Sequence, residues 1–469
     1  MKQEQPQSRE KFNSNFGFLM VVIGSAVGLG NLWGFPYKMG KGGGFAFLLL
    51  YLLLAIAVGY TCMIGEVAIG RKSGQASIGA FRAVDHRFTF AGWFGVLAQF
   101  FLLPFYFTLG GYCIKYLVTN IGDIFHAGFG LGSLDSGTYF AEFTQDKTAA
   151  ILYSLLFIIL TVYIVLKGVS GGLEKFSTVA MPALFFMLII IVFRSCTLPG
   201  AGEGLVFIFK PDLSVFKGTG WIKILASAGG QMFFSLSLAS GSLTAFGSYL
   251  DKKENIEKNA IIVPIADTAA ALLASMATMP AVFAMGMKPA SGPGMLFVTL
   301  QGVFSAMGST GPIFGSIFYL LVVIAALSSS IAMLEGTVSA LIDRSLEKGG
   351  SGNRRKITLC TVAIMTACSL LITADALGEG GLPHLFGFQT WLDTFDLFAE
   401  GFLMPVGCIC MSIMLGWLHS GYIDDEVLTG SRFKSRRFVN FSLKWISPLF
   451  VTFVLFGQLD GFFNLGLFS

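Results

Sequence analysis

Apolar runs long enough to cross a bilayer recur along almost the whole of this 469-residue chain. Hydrophobic residues make up 54% of it and charged residues 12%, with a mean hydropathy of +0.73, whereas a soluble domain carries about 25% charge. The runs do not alternate as barrel strands do, and about 20 apolar residues cross the hydrocarbon core as a helix. We therefore predict an all-α integral membrane protein with eleven transmembrane helices at 14–39, 43–70, 90–121, 148–167, 174–194, 220–249, 259–284, 312–342, 357–374, 392–418 and 441–464.

The basic residues indicate which side of the membrane each loop faces. A cytoplasmic N-terminus places 22 of the 31 Lys and Arg residues inside, in segments 1–13, 71–88, 167–175, 251–258, 343–356 and 430–444. The positive-inside rule favours this orientation, and an odd number of spans then puts the C-terminus outside. The apolar centre of the external loop 285–310 fits a short helix and a surface loop equally well.

The cysteines and histidines argue against catalysis. Seven cysteines and four histidines are scattered along the chain without metal-ligand spacing, and no catalytic triad is evident. We therefore expect neither an enzyme nor a nucleic-acid-binding protein.

Two of the spans contain residues that a membrane helix should avoid. The first includes GSAVGLGNLWGFP at Gly24–Pro36, where each interior glycine costs about 1 kcal/mol relative to alanine. The sixth is interrupted at SLASGS within Gly229–Tyr249. Unwound backbone at membrane depth is tolerated where it lines a polar cavity, and paired broken helices are typical of inverted-repeat transporters. The glycines also fit close helix packing, but the polar Asn31 inside the first span favours a binding site.

Three acids, Glu66, Asp267 and Glu335, lie in or at the ends of predicted spans, where an ionisable side chain needs a functional reason. A buried carboxylate requires a cation or a proton. The hydroxyls of Ser328–Ser330, near Glu335, either supply oxygen ligands to a small cation or bond the preceding helical turn. The sequence leaves these alternatives open, and proton coupling through the three acids is among them.

Four motifs together resemble a known family. NFGFLMVVIGSAVGLGNLWGFPY, GQMFFSLSLASG, ADTAAALLA and ALSSSIAMLEG, in this order, are similar to motifs of the neurotransmitter:sodium symporters, in particular the bacterial amino-acid branch with the LeuT fold. The likeness runs from about residue 9 to about 450, and eleven spans resemble a bacterial subgroup. It implies a cytoplasmic segment 1–13, inverted repeats of five spans each at 14–194 and 220–420, a last span with the C-terminus at 441–469, and a place in the bacterial inner (plasma) membrane.

The resemblance also implies two sodium ions and a bound amino acid. The first sodium would be held by Ala26, Asn31, Ser235 and Asp267, and the second by Gly24, Val27, Ala325, Ser328 and Ser329. The substrate would contact backbone groups of Ala26, Leu29 and Gly30 and the side chains or backbone of Leu102, Tyr106, Phe234, Ser235, Ser237, Ser240, Ser329 and Met333.

Several positions narrow what the resemblance implies. Gly28 stands where monoamine transporters carry an aspartate, so the substrate should bring its own carboxylate. Asp267 and Ala271 stand where other members help to bind chloride, so we expect the protein to supply the negative charge itself. The small Ser240 and the flexible Met333 suggest room for a large apolar side chain.

The gate residues implied by the resemblance follow the family pattern less completely. Arg9 and Asp343, with Tyr249 nearby, would close the internal side. On the external side, Gly34 replaces the usual arginine while its acid corresponds to Asp396, so either Lys38 substitutes or the gate is aromatic only.

These expectations favour sodium-driven import of neutral, hydrophobic L-amino acids by alternating access, independent of chloride. Proton-coupled transport, a sensor that binds without transporting and an ion channel are the alternatives; a channel is expected to show filter repeats, which the sequence lacks. The oligomeric state is not determined by the sequence.

Overall fold

The computed structural model describes residues 10–217, 220–286 and 294–467. The described helices are, in chain order, α1 (Asn15–Ala26), α2 (Gly30–Lys41), α3 (Phe45–Ser73), α4 (Ser77–Val84), α5 (His86–Ile124), α6 (Ser136–Gln145), α7 (Lys147–Val165), α8 (Val169–Cys196), α9 (Ala201–Phe209), α10 (Gly220–Ser235), α11 (Ser242–Tyr249), α12 (Ile256–Ala284), α13 (Met295–Ala306), α14 (Gly308–Glu347), α15 (Arg354–Gly378), α16 (Trp391–Leu418), α17 (Asp424–Gly430) and α18 (Arg436–Phe463).

Within the described residues, nine helices are long and apolar enough to cross a membrane: α3, α5, α7, α8, α12, α14, α15, α16 and α18. The helices α1 and α2 meet at an angle of 49° and together make a tenth. The all-α class is confirmed, and each of these elements overlaps one predicted span. The remaining predicted span, 220–249, is divided between α10 and α11, so the count of eleven stays a prediction.

Both polar interruptions in the sequence coincide with helix ends. The Ser14 hydroxyl caps α1 by accepting from the Gly17 amide at 2.9 Å, and the helix stops at Ala26, where Val27 turns to an extended conformation. The second interruption separates α10 from α11 by residues 236–241. Here Ser237 and Ala239 have positive φ angles of 52° and 54°. This conformation is energetically unfavourable for residues other than glycine, so the surrounding structure must hold it.

Glycines allow α3 to approach α11 closely. A Cβ atom on Gly70 would lie 2.0 Å from the Thr244 carbonyl oxygen, and one on Gly247 would lie 2.4 Å from the Val67 carbonyl oxygen. Because each glycine faces the backbone of the other helix, the two backbones touch directly. This contact fixes the second broken helix against α3, while α14 packs along α5 and against α1.

Short helices that were not among the predicted spans connect the long ones, namely α4, α6, α9, α13 and α17. Of the two alternatives for the loop 285–310, the structure shows a helix, α13, whose Phe297 is buried and stacks on Phe140 with ring centroids 5.4 Å apart. Residues 287–293 of that loop lie outside the described part of the chain.

Candidate functional site

The two helix breaks meet in the interior of the protein. The Ser25 hydroxyl lies 3.2 Å from the Ser237 hydroxyl, which donates to the Ser25 carbonyl oxygen at 3.1 Å. The Gln231 side-chain amide donates to the Gly30 carbonyl oxygen at 2.9 Å. Backbone groups freed by one broken helix are therefore satisfied by side chains of the other, as buried polar groups require.

Asp267 is the centre of a buried hydrogen-bond network. Its carboxylate accepts from the Asn31 amide at 2.7 Å, from the Tyr51 hydroxyl at 2.7 Å and from the Ser235 hydroxyl at 2.8 and 3.0 Å. The Asn31 side-chain oxygen accepts in turn from the Gly28 amide at 3.2 Å. Asn31, Tyr51 and Asp267 are fully buried and Ser235 is nearly so. The network thus collects a negative charge and several hard oxygen atoms, which is the donor chemistry that a small cation prefers.

The structure brings together the side chains predicted for the first sodium ion, Asn31, Ser235 and Asp267. Ala26, predicted to contribute its carbonyl, is the last residue of α1. Sequence reasoning missed Tyr51 and Gln231. Tyr51 looks like an ordinary aromatic residue within the apolar run FLLLYLLL, and Gln231 is a polar residue three before Phe234 that could have been noticed.

The residues predicted for the second sodium ion are placed where α1 ends against α14. The Ser329 hydroxyl donates to the carbonyl oxygens of Gly24 and Ser25, both at 3.3 Å. The Ser328 hydroxyl donates to the Ala325 carbonyl within its own helix at 2.9 Å, which is the backbone bonding that the sequence left as an alternative. Val27 and Ala325 are buried, and the Val27 amide donates to the Ile23 carbonyl at 2.6 Å.

Aromatic and small residues surround the break between α1 and α2. The ring centroids of Tyr106 and Phe234 lie 5.9 Å apart. A Cβ on Gly28 would lie 2.3 Å from the Ser329 hydroxyl oxygen, and one on Gly30 would lie 2.6 Å from the Phe234 ring. The other residues predicted for substrate binding are buried: Leu29, Leu102, Ser237, Ser240 and Met333.

Glu66 supports the second break from α3. Its carboxylate accepts from the Ala239 amide at 2.6 Å, and the side chain is only 1% exposed. Ala239 is one of the two residues with positive φ in this break. Glu66 was singled out from the sequence as an acid at the end of a span, but its contact with the break was not predicted.

Of the residues predicted for the internal gate, Tyr249 belongs to a network with Glu335 and Arg354. Arg9 lies outside the described residues, and Asp343 accepts from the Ala76 amide at 2.7 Å. The Tyr249 hydroxyl donates to Glu335 at 2.8 Å, and Glu335 also pairs with Arg354. Sequence reasoning did not identify Arg354, which gave no signal beyond its place in a basic loop.

On the opposite side, Lys38 of α2 lies 3.8 Å from the Glu400 carboxylate of α16. Glu400 follows Asp396, the predicted acid, by one helical turn. Among the described residues, one carboxylate oxygen of Asp396 is buried without a hydrogen-bond partner. Lys38 was one of the two alternatives for the position of the missing arginine, and its contact in the structure is with Glu400.

Comparison with known proteins finds similarity along nearly the whole chain. A family model described as the sodium:neurotransmitter symporter family matches residues 9–125 and 140–466. An uncharacterized sodium-dependent transporter of Bacillus subtilis is 34% identical over 87% of this chain and 88% of the relative, and one of Methanocaldococcus jannaschii is 31% identical over 96% and 90%. The mouse sodium- and chloride-dependent GABA transporter 2 is 26% identical over 89% and 75%.

Among solved structures, the crystal structure of MhsT in complex with L-phenylalanine superposes with a TM-score of 0.86. The two chains are 32% identical, and the match covers 96% of this chain and all of MhsT. The residue ranges matched by the family model contain both helix breaks.

Proposed function

The chain belongs to the sodium:neurotransmitter symporter family and is a sodium-dependent membrane transporter rather than an enzyme, and from this premise we propose that it imports neutral, hydrophobic L-amino acids. Transport proceeds by alternating access, without chloride. The substrate side chains that we propose are aromatic or branched. MhsT, the structural neighbour, was crystallised with L-phenylalanine, which is consistent with this substrate class.

The observation that carries the proposal is the buried network around Asp267. Its carboxylate accepts hydrogen bonds from three side chains, and no ion pair to it is formed within the described residues. A buried carboxylate is expensive without a compensating cation. We therefore assign one sodium ion to Asn31, Ser235, Asp267 and the Ala26 carbonyl, and a second to the Gly24, Val27, Ser328, Ser329 and Ala325 group.

Coupling follows from where the first ion would sit. The amides of Leu29 and Gly30 and the Tyr106 hydroxyl are the proposed partners of the substrate carboxylate, which would complete the shell of that sodium ion. Sodium and substrate then each strengthen the other's binding, and thermodynamic linkage makes this effect reciprocal. Gly28 offers no carboxylate at the position where monoamine transporters carry an aspartate, which favours a substrate with its own carboxylate.

Independence from chloride follows from Asp267 carrying a negative charge inside the site, one helical turn before the buried Ala271.

The proposed architecture has eleven spans, with α10 and α11 forming one broken helix, and inverted repeats at 14–194 and 220–420. The basic loops favour a cytoplasmic N-terminus, and the similarity to bacterial relatives favours a place in the bacterial inner membrane.

The test is uptake of radiolabelled tryptophan and leucine into proteoliposomes without chloride, under an inward sodium gradient and then with potassium in place of sodium. We expect accumulation only under the sodium gradient. Equal uptake without sodium would overturn the two sodium sites and favour proton coupling, and binding without accumulation would favour a sensor. Uptake that requires added chloride would refute the role given to Asp267.

A further inference from the structure

A groove runs along the outer side of α3 and α12 and ends at the first turn of α18. Its volume is about 580 Å³, and its walls are almost entirely apolar, formed by residues that include Leu52, Ile56, Ile261, Ile265 and Phe438. Ile56 and Ile265 are 61% and 63% exposed. In a membrane protein such a surface faces the hydrocarbon core of the bilayer. An acyl chain can therefore occupy the groove, because neither the groove nor the chain has to be removed from water.

One end of the groove is polar and is hydrogen-bonded to the residues just before α18. The Tyr60 hydroxyl, which lines the groove, lies 2.6 Å from the Ser435 hydroxyl. The Glu257 carboxylate accepts from the amides of Lys434 and Ser435 at 3.0 and 2.7 Å. The Glu257 carboxylate is therefore buried and engaged with backbone amides, and it does not face outward.

Basic side chains, in contrast, are exposed at the same end. Lys258 lies on the face of α12 that carries Ile261 and Ile265, because residues three and seven positions apart share one side of a helix. Lys434 and Arg437 flank Ser435 and Phe438, which contact the groove. All three basic residues are exposed, and within the described part of the chain none of them pairs with a carboxylate. The neighbouring Arg436, unlike them, pairs with Asp424 at 2.7 Å.

We propose that this groove binds an anionic phospholipid, with an acyl chain along α3 and α12 and the headgroup phosphate at Lys258, Lys434 and Arg437. The inference is independent of the proposed substrate. Basic residues near a membrane surface attract anionic lipid, and the apolar groove adds contact for the acyl chain. A zwitterionic lipid fills the groove equally well but gains less from the charges.

The groove also lies next to the hydrogen-bond network around Asp267, on the side of α3 and α12. Leu52 and Thr268 line it, and they directly follow Tyr51 and Asp267 in the chain. Tyr51 donates to Asp267 at 2.7 Å across the interface between α3 and α12. A lipid chain seated in the groove would therefore hold these two helices together behind that hydrogen bond, so binding of the lipid should stabilise the folded protein.

The experiment measures the thermal unfolding midpoint of the purified full chain in detergent. Phosphatidylglycerol, phosphatidylcholine or inorganic phosphate is added, and native mass spectrometry counts the retained lipid. We expect phosphatidylglycerol to raise the midpoint several degrees more than phosphatidylcholine, inorganic phosphate to have no effect, and one phosphatidylglycerol molecule to remain bound. High salt should weaken the effect because it screens the charges.

Two variants separate the headgroup contact from the acyl contact. The double variant Lys434→Gln/Arg437→Gln should lose most of the preference for phosphatidylglycerol, and Ala269→Phe, which fills the groove but keeps the charges, should lose retention of the lipid. The matched control is Lys348→Gln/Arg355→Gln, the same charge change at exposed positions just after α14 and in the first turn of α15, which should behave like the wild type.

Equal effects of the two lipids, an equal effect of inorganic phosphate, or an equal loss in the control variant would each overturn the proposal. A wild-type response in both groove variants would overturn it as well. Because every comparison is between additives on the same purified variant, a general loss of stability in one variant does not imitate the expected result.

Discussion

The Asp267 carboxylate accepts hydrogen bonds from side chains of three other helices: Asn31 of α2, Tyr51 of α3 and Ser235 of α10. Charge-assisted hydrogen bonds are shorter and stronger than neutral ones, and these are made where water is excluded. One residue of α12 thereby fixes the positions of both broken helices around the proposed ion. The same charge gives the site its attraction for a cation.

Replacing this residue by its amide tests the charge without changing the shape. We expect Asp267→Asn to weaken sodium-stimulated uptake in chloride-free buffer by about 10- to 100-fold, since hydrogen bonds to a charged group contribute about 1.5–3 kcal/mol. Added chloride should restore part of the uptake. The measurement is the sodium dependence of uptake in proteoliposomes with and without chloride. Asp135→Asn, the same change on the exposed cap of α6, is the control, and an unchanged sodium response in Asp267→Asn would contradict the assignment.

At the scale of elements, the second break is held in an unfavourable conformation by its neighbours. Ser237 and Ala239 have positive φ, and residues 236–241 belong to neither α10 nor α11. Glu66 of α3 supplies the acceptor for the Ala239 amide, and Ser240 donates to the Ser237 carbonyl at 2.8 Å. The interruption of the helix is therefore a property of α3 and the break together.

Removing that acceptor should loosen the break. In Glu66→Leu the Ala239 amide loses its partner, at a cost of about 1–3 kcal/mol, so we expect a lower thermal midpoint and weaker amino-acid binding. Glu66→Gln keeps a side-chain oxygen and should lie closer to the wild type. Thermal unfolding and equilibrium substrate binding, measured on both variants, provide the test. If Glu66→Leu binds substrate as the wild type does, the break does not depend on this contact.

At the scale of the whole molecule, charged residues connect helices at each end of the site. At one end Arg354 of α15 pairs with Glu335 of α14, which accepts from Tyr249 of α11, and the same guanidinium donates to the Val165 carbonyl of α7 at 3.0 Å. At the other end Lys38 faces Glu400. Alternating access would require each set of contacts to break in turn.

Removing Arg354 alone from the first set of contacts leaves the buried Glu335 carboxylate without its charged partner. Glu335 is fully buried, and losing one partner of a buried pair costs about 3–5 kcal/mol. We therefore expect Arg354→Gln to lower the thermal midpoint strongly, and Glu335→Gln/Arg354→Gln to recover part of the loss because no charge is left unpaired. Thermal unfolding of both variants measures this. A double variant less stable than the single one would show that the pair is not coupled in this way.

The sequence identified candidate site residues most readily where polar residues stand out against an apolar background. Asn31 and Asp267 were identifiable because a polar side chain inside a span needs a functional reason. In the structure the Asn31 Nδ2 atom lies 2.7 Å from the Asp267 Oδ1 atom. Tyr51 and Arg354 were missed because an aromatic residue in an apolar run and an arginine in a basic loop are common. Only their three-dimensional neighbours distinguish them.

The sequence by itself determined the fold class, most of the spans and the two interruptions, because hydrophobic length and helix-breaking residues are local properties that the bilayer makes decisive. The tertiary structure alone decided that Glu66 holds the second break, that Lys38 faces Glu400 and that an apolar groove ends near three exposed basic side chains. These features join residues more than 170 positions apart in the chain. Their distances depend on how the helices pack, and local sequence does not contain that information.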